Sequence, residues 1–188
     1  MNKLSHQEKL TLLRLAREAL DNCVNGKDLT LVSESDLTQL LQEDGASFVT
    51  LTIKGRLRGC IGALLPYQAL YADVREHAIA AALHDHRFPP VRPSELANIL
   101  VEVSRLTLPQ TLIYQDTADL LEQLQPGVDG VILRNGSQRA TFLPQVWSQI
   151  SGKEEFLSQL CIKMGATPNL WKQKQIDVQL YQVEEFHE

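Results

Sequence analysis

Two segments of this 188-residue chain repeat the same order of elements, and that repetition constrains the fold more than any other feature. In each segment, two stretches rich in β-branched or aromatic residues flank a turn, and a helical stretch and a further strand follow. The segments cover residues 46–107 and 130–186. Because short turns join antiparallel strands, we predict an α+β fold of mostly antiparallel sheets flanked by helices.

The first segment gives the clearer signals. Residues 47–53 are rich in β-branched and aromatic residues, Gly55 marks a turn, and residues 56–62 return as the partner strand. An apolar stripe at helical spacing then runs to about Asp85, where a Pro-Pro sequence follows that no helix can continue through. Residues 100–106 are predicted to be the closing strand.

The second segment is a weaker version of the first. Residues 131–134 and 139–143 flank an Asn-Gly turn at Gly136, which is a strong hairpin signal. A helix is predicted from about Glu154 to Met164, and a last strand from Val178 to Phe186.

Two capping boxes define helix starts. Ser5 and Glu8 are spaced to open the first helix of the chain, and Ser151 and Glu154 are spaced to open the helix of the second segment. In such a box each side chain satisfies a free backbone N–H of the first turn.

The matched turns suggest an internal duplication. Aligning Gly55 with Gly136 places Arg58 opposite Arg139. Since the connections between elements are short, we predict two intertwined lobes within a single domain spanning residues 1–188, each lobe a hairpin, a helix and a strand.

Composition and charge exclude several classes of partner. The formal net charge of −5 gives no global attraction to nucleic acid. No apolar run approaches the roughly 20 residues that span a bilayer, and the polar start lacks the apolar stretch of a secretory signal. The three cysteines lie far apart and outside any CxxC pair, which fits neither a disulfide framework nor a cysteine-rich zinc site. We therefore predict a cytoplasmic protein that binds neither nucleic acid nor membranes.

The sharpest local feature is the strand that contains Arg58, Gly59, Cys60 and Gly62. Two glycines inside a strand lower its stability, and they mark a bulge, a close approach of another backbone, or a ligand contact. Positive charge near a cysteine favours the thiolate, which is the nucleophilic form. Two interpretations stay open, a functional thiol at a ligand cleft and a buried cysteine beside glycines that let a helix pack closely.

A second candidate is the end of the helix at His84, Asp85 and His86. Two histidines and a carboxylate are metal-ligand types, but the sequence nominates no third or fourth ligand. We therefore predict no metal. No GxGxxG, Walker A or GxSxG motif occurs, and no cofactor is predicted either.

Two further titratable residues, His77 and Glu102, each allow a structural and a functional interpretation. His77 lies on the apolar stripe of its helix, where a histidine is more often a hydrogen-bonded core residue than a ligand. Glu102 alternates with Val101 and Val103, so it points to the opposite face of its strand. If that face lines a cleft at Cys60, Glu102 is placed to act as a general base.

The chain resembles the AMMECR family, whose bacterial and archaeal members are called AmmeMemoRadiSam system protein A. The resemblance extends over almost the whole sequence, and its specific motifs are Gly55-x-Leu57-Arg58-Gly59-Cys60-Ile61-Gly62, Asp85-x-Arg87-Phe88-Pro89-Pro90-Val91, Glu95-Leu96 and Val101-Glu102-Val103-Ser104-x-Leu106.

The resemblance implies a two-lobed α+β structure with a cleft near the Arg-Gly-Cys-Ile-Gly strand. The family name records association with a Memo-type protein and a radical S-adenosylmethionine protein, which are therefore the implied partners. His86 departs from the family pattern, which usually has proline there, and this weakens the metal hypothesis further.

Two functions follow from these observations, and both stay open. In the first, the protein is an enzyme or enzyme component that acts on a small anionic substrate. Its catalytic residues are then Cys60, Asp85 and Glu102, and its substrate-binding residues are Arg58, Gly59, Gly62 and Arg87. In the second, the chain is a non-catalytic binding or adaptor module that presents the same cleft to a partner protein.

Overall fold

The computed structural model describes residues 3–150 and 152–188, which separate into two units. The first unit contains the chain up to Leu106 together with Glu184–Glu188, and the second contains Thr107–Val183. Each unit combines helices with an antiparallel sheet, so the predicted α+β class is confirmed. Within the described residues, none of the helices has the length and apolar character needed to cross a membrane.

The helices and strands follow one another along the chain with short connections. In order they are α1 (His6–Val24), α2 (Gln39–Gln42), β1 (Asp44–Ile53), β2 (Arg56–Gly62), β3 (Gln68–Ala69), α3 (Leu70–Leu83), β4 (Ile99–Leu106), β5 (Gln110–Thr111), α4 (Thr117–Gln123), β6 (Gly130–Asn135), β7 (Gln138–Phe142), α5 (Lys153–Lys163), α6 (Leu170–Gln173), β8 (Asp177–Tyr181) and β9 (Val183–His187). Short 3₁₀ turns cover Glu34–Asp36, Pro93–Asn98 and Pro144–Ser148.

The sheet of the first unit has the order β2-β1-β4-β9, with β3 added beside β1. Alternate residues of β1, Val49 and Leu51, are fully buried, and Val101 and Val103 of β4 are buried in register with them. These side chains form one core with the apolar faces of α1 and α3. The two helices therefore cover one face of the sheet and leave its other face with a different, more polar set of residues.

The sheet of the second unit has the order β5-β8-β6-β7. Val131, Leu133 and Val178 alternate into a separate core that α5 completes with Phe156 and Leu160. Each sheet thus has its own helix layer and its own core.

The helix ends agree with the sequence signals where these fall on described residues. Ser5 and Glu8 form the predicted capping box of α1. Gly26, just beyond the end of that helix, has a φ of 66°, which glycine adopts readily. The capping box predicted at Ser151 lies outside the described residues, and α5 begins at Lys153 after Gly152.

The predicted last strand, Val178 to Phe186, was wrong as a single element. The chain forms two strands there, and β8 joins the second sheet whereas β9 joins the first. The division falls at Gln182, whose N–H donates to Thr107 Oγ1 at 2.8 Å and whose carbonyl accepts the Thr107 N–H at 2.9 Å. These bonds replace ladder bonds at the one residue that belongs to neither strand.

The register of the two hairpins corrects the alignment of their turns. In the first hairpin Ile53 pairs with Arg56, so Lys54 and Gly55 form the turn. In the second, Asn135 pairs with Gln138, so the turn is Gly136-Ser137 rather than Asn135-Gly136.

Counted from these turns, Arg58 is not the counterpart of Arg139. Leu57 holds the position equivalent to Arg139, and Arg58 is an extra residue, because the β1–β2 register shifts between Leu51 and Thr52. A bulge of this kind opposes two residues of one strand to one residue of the other.

The strand order nevertheless agrees between the two sheets. In each, the second strand of the hairpin is the outer strand, the first strand lies inside it, and the strand after the helix lies next, all antiparallel. This agreement is what a duplication predicts; the duplication and the single-domain organisation both stay predictions.

Candidate functional site

The outer edge of β2 is closed by two charged side chains. Because β2 is an edge strand, the N–H and C=O of Cys60 have no neighbouring strand to bond. Asp85 Oδ2 accepts from the Cys60 N–H at 2.8 Å, and Arg87 Nη2 donates to the Cys60 carbonyl at 3.1 Å. The pair therefore acts as a one-residue substitute for a further strand.

Asp85 and Arg87 are also bonded to each other. Arg87 donates from Nε to Asp85 Oδ1 at 2.9 Å and from Nη2 to Oδ2 at 2.7 Å, and its backbone N–H reaches Oδ1 at 3.1 Å. The Asp85 side chain is 4% exposed, whereas that of Arg87 is 56% exposed. These hydrogen bonds from Arg87 hold the pKa of Asp85 well below its usual range, against the opposing effect of burial.

Arg58, the bulge residue, faces a different carboxylate. Its Nε and Nη2 donate to the two oxygens of Glu95 at 2.7 and 3.1 Å, a bidentate pair with both side chains largely buried. These bonds lower the pKa of Glu95 to about 2. Nη1 of Arg58 is buried and meets no hydrogen-bond partner among the described residues.

The two glycines of the strand are explained by close packing. A Cβ on Gly59 would lie 2.1 Å from the carbonyl oxygen of Ala81 in α3, and a Cβ on Gly62 would lie 2.3 Å from the ring of Phe48. The helix-packing interpretation left open by the sequence therefore accounts for Gly59, whereas Gly62 makes room for a side chain of the neighbouring strand β1. Their role in substrate binding stays a prediction.

The thiol of Cys60 lies on the sheet face away from α1 and α3. The register places Cys60 beside Thr50, and Thr50 beside Glu102 on the next strand. Thr50 Oγ1 and Cys60 Sγ are 3.3 Å apart. Two strand spacings separate Cys60 from Glu102, about 10 Å between backbones, so the two side chains share a face without direct contact.

Glu102 has an unusual environment for a carboxyl on this face. Burial raises its pKa, the charge of Glu185 raises it further, and His187 has the opposite effect. Among the predicted catalytic residues, Cys60 and Glu102 thus share a face, whereas Asp85 contacts the backbone of Cys60 at the edge.

An apolar row runs beside this polar row. Leu57 pairs with Thr52, and Thr52 pairs with Leu100 of β4, so the three residues cross the same face. Leu57 is 44% exposed and Leu100 is 52% exposed. We call these two rows, Cys60-Thr50-Glu102 and Leu57-Thr52-Leu100, the outer face of the first sheet.

The histidines at the end of α3 take no part in this arrangement. The His84 N–H caps the helix by donating to the Ala80 carbonyl at 2.8 Å. In the described part of the chain, no group of three or more His, Cys, Asp or Glu side chains is arranged to hold a metal ion.

Sequence reasoning missed the partner of Arg58. Glu95 was noticed only as part of a family motif, because 37 residues separate it from Arg58. It also missed Thr50 as the neighbour of the Cys60 thiol, because a hairpin register counted back from Gly55 without the bulge at Arg58 pairs Cys60 with Val49 instead.

Comparisons with known proteins place this chain in one family of α+β proteins. The AMMECR1 family model matches residues 13–186. A protein of Methanothermobacter thermautotrophicus is 41% identical over 187 residues, covering 98% of this chain and 96% of its own length. A protein of Methanopyrus kandleri is 37% identical and covers 99% of this chain, with 91% of its own length.

A solved structure agrees with these matches. The crystal structure of an uncharacterized protein from Pyrococcus horikoshii superposes with a TM-score of 0.88 at 34% identity, covering all of this chain and 94% of that one. The chain therefore belongs to the AMMECR1 family, and the family predicted from the sequence is confirmed.

Proposed function

We propose that this protein is a binding module whose outer face on the first sheet docks a partner protein. The observation that carries the proposal is that the two arginines of the site are already paired within the chain. Arg58 is bonded to Glu95, and Arg87 is bonded to Asp85 and to the Cys60 carbonyl. Little charge is left free to hold a small anionic substrate.

The outer face has the composition that is typical of a protein–protein contact. Leu57 and Leu100 supply exposed apolar area, and Cys60, Thr50 and Glu102 supply an adjacent polar row. An apolar patch rimmed by polar groups is a usual mark of a protein interaction site. The partner we propose is a Memo-type protein, with a radical S-adenosylmethionine protein as the next candidate, because the family name associates these proteins.

The test is calorimetric titration of the purified protein with the Memo-type protein of the same organism. Leu57→Asp and Leu100→Asp should each weaken binding by about 10-fold or more, since each removes an apolar contact and buries a charge. Leu31→Asp is the matched control, because Leu31 is 96% exposed and lies in the connection after α1. Equal affinity for all three variants, or no binding by the native chain, would refute the proposal.

An enzymatic role for Cys60 is the second candidate, and the raised pKa of Glu102 favours it. In that case Glu102 is the general base and Cys60 the nucleophile, acting through a bound substrate or water because the two side chains do not touch. Arg58 and Arg87 are then the substrate-binding residues, and Nη1 of Arg58 is the donor that has no partner among the described residues.

Alkylation rates separate the two candidates. With iodoacetamide at pH 7, a catalytic Cys60 should react faster than Cys23 and Cys161, whose pKa values are raised by burial. Exposure alone would also favour Cys60 over the buried Cys161, so the decisive variant is Glu102→Gln. A rate unchanged by Glu102→Gln would remove the nucleophile hypothesis and leave the binding module.

A further inference from the structure

A second group of polar side chains lies at the start of α3, apart from the outer face of the first sheet. His77 Nδ1 is 3.2 Å from Asp73 Oδ2, and His77 Nε2 is 3.4 Å from the hydroxyl of Tyr67. Ser47 Oγ donates to the same Asp73 oxygen at 2.5 Å. The group is continuous from a buried carboxylate to a phenol, and the proposed docking role makes no use of it.

Burial falls steadily along this group. Asp73 is 0% exposed, His77 is 5% exposed and Tyr67 is 54% exposed. Catalytic triads have the same arrangement, in which a buried carboxylate orients an imidazole and the imidazole contacts an accessible nucleophilic hydroxyl. Hydrogen bonds to the nucleophile in such groups are often long before a substrate is bound.

The carboxylate fixes the tautomer of the imidazole. Asp73 Oδ1 is buried without a hydrogen-bond partner in the described residues, so the bonds of this carboxylate run through Oδ2 to Ser47 and His77. An acceptor at Nδ1 assigns the proton to Nδ1. The lone pair of Nε2 is then directed to the hydroxyl of Tyr67, where a base is needed.

We propose that Tyr67, His77 and Asp73 form an acyl-transfer site in which the Tyr67 hydroxyl is the nucleophile toward a neutral carboxylic ester. Burial, together with the charges of Asp73 and Glu76, raises the pKa of Tyr67, so the phenol keeps its proton until the base removes it. Those same carboxylates disfavour an anionic donor such as a phosphate ester. Leu65, 49% exposed and two residues before Tyr67, adds an apolar surface suited to the acyl group.

The reaction balances without a further reagent. The Tyr67 oxygen attacks the ester carbon while His77 Nε2 takes the phenolic proton. The bond from that carbon to the alkoxy oxygen then breaks, and His77 returns the proton to the departing alcohol. Water hydrolyses the tyrosyl ester in a second cycle, which releases the carboxylic acid and restores the phenol. Asp73 is a positioning residue, since it acts through His77.

The experiment exposes the full chain to p-nitrophenyl acetate and measures acetylation of each tyrosine by peptide mass spectrometry. Tyr71 is the internal control, because it is partly exposed and lies on α3, the helix that carries His77. The buried Tyr114 and Tyr181 report whether the fold stays intact. Acetylation of Tyr67 should exceed that of Tyr71 by about 100-fold, the lower end of what a positioned base contributes. Equal rates at the two tyrosines would overturn the proposal.

Three variants distinguish catalysis from mere exposure. His77→Gln, which keeps a polar side chain, should reduce acetylation of Tyr67 to the rate of Tyr71. His77→Gly should do the same, and added imidazole should restore the ratio of Tyr67 to Tyr71, which a purely structural histidine would not allow. A ratio unchanged in His77→Gln, with Tyr114 and Tyr181 still protected, contradicts the proposal. Asp73→Asn should give an intermediate ratio if it folds.

Discussion

In both hairpins the outer strand is a sheet edge, so its outward carbonyls need hydrogen-bond partners from outside the sheet. The two hairpins supply these partners with different side chains. In the first sheet the edge carbonyl of Cys60 accepts from Arg87, and in the second sheet the edge carbonyl of Thr141 accepts from Lys163 Nζ at 2.9 Å. Counted from the turns, Cys60 and Thr141 hold equivalent positions. Each edge carbonyl thus accepts from a cationic side chain near the end of the helix that follows its hairpin. Arg87 lies just beyond the end of α3, and Lys163 is the last residue of α5.

The difference lies in what the first hairpin adds. It has a bulge at Arg58, a glycine at position 59 where the second hairpin has Ala140, and a buried carboxylate, Asp85, bonded to the edge N–H. The glycine lets α3 approach the strand, and the carboxylate adds the charge pairing with Arg87. The most distinctive motif of the sequence is therefore explained largely by packing and edge protection.

The largest expected effect comes from Gly59→Ala. Its new Cβ would lie 2.1 Å from the backbone oxygen of Ala81, which no side-chain movement can relieve. The free energy of unfolding should fall by about 3 kcal/mol, the upper end of ordinary overpacking. Hydrogen exchange, measured separately for the two sheets in urea, should show the loss in the first sheet.

The control for that variant is Gly136→Ala in the second hairpin. Its φ of 62° disfavours alanine, but no atom lies within 4 Å of the added Cβ. The loss should be about 1 kcal/mol and confined to the second sheet. If Gly59→Ala is as mild as this control, close packing does not explain the glycine.

The next effect is that of Asp85→Asn. The amide keeps one acceptor oxygen in place of two and loses the charge that pairs with Arg87, so the free energy of unfolding should fall by about 2 kcal/mol at pH 7. The partner is half exposed, which keeps the effect below that of a fully buried pair.

Acid provides an independent measure of the same pair. The pKa values of Asp85 and Glu95 are lowered by their arginines, so both carboxyls stabilise the fold above their unfolded pKa values of about 4 and lose that effect as pH falls toward their folded values. The stability of the first sheet should therefore decline from about pH 4 down to about pH 2. Asp85→Asn should flatten that decline, and an unchanged pH profile would show that the charge of Asp85 contributes nothing.

A smaller effect tests the comparison of the edges directly. Arg87→Met and Lys163→Met each remove the cation from one edge carbonyl and keep an apolar stem. Each should cost about 1 kcal/mol or less, since both cations are exposed, and each loss should appear only in its own sheet. A loss found in one sheet alone would mean that the two edges are not equivalent.

Most of the helices and strands could be predicted from local signals in the sequence. The hairpins, α1 and α3 follow from periodicity, capping and the Gly55 turn, all of which act within a few residues. The break at Gln182 could not be predicted in this way, because its partner, Thr107, is 75 residues away and the sequence around it reads as one continuous strand.

In the candidate site, too, the features set by local sequence were predictable and those set by long-range contacts were not. The sequence nominated Arg58, Cys60, Asp85 and Arg87; of these, Asp85 and Arg87 contact the backbone of Cys60 at one edge, whereas Arg58 pairs with Glu95. It could not show that each arginine has a carboxylate partner, since ion pairing depends on tertiary placement rather than on spacing. The contact between Asp73 and His77 could have been predicted from the sequence, because the two residues are four apart on a helix.

The smallest effect concerns Glu102 on the outer face of the first sheet. Its raised pKa means that the folded state favours the neutral form, so ionised Glu102 destabilises the fold at neutral pH. Glu102→Gln should therefore raise the free energy of unfolding by about 0.5 kcal/mol at pH 7, a small value because the side chain is only partly buried. The gain should disappear below about pH 4.5, where the native glutamate is itself protonated. Urea unfolding at pH 7 and pH 4 measures both values, and a gain that persists at pH 4 would show that shape rather than charge is responsible. The equivalent position of β8, Gln179, is already a neutral amide beside Ile132, so the second sheet supplies the comparison without mutation.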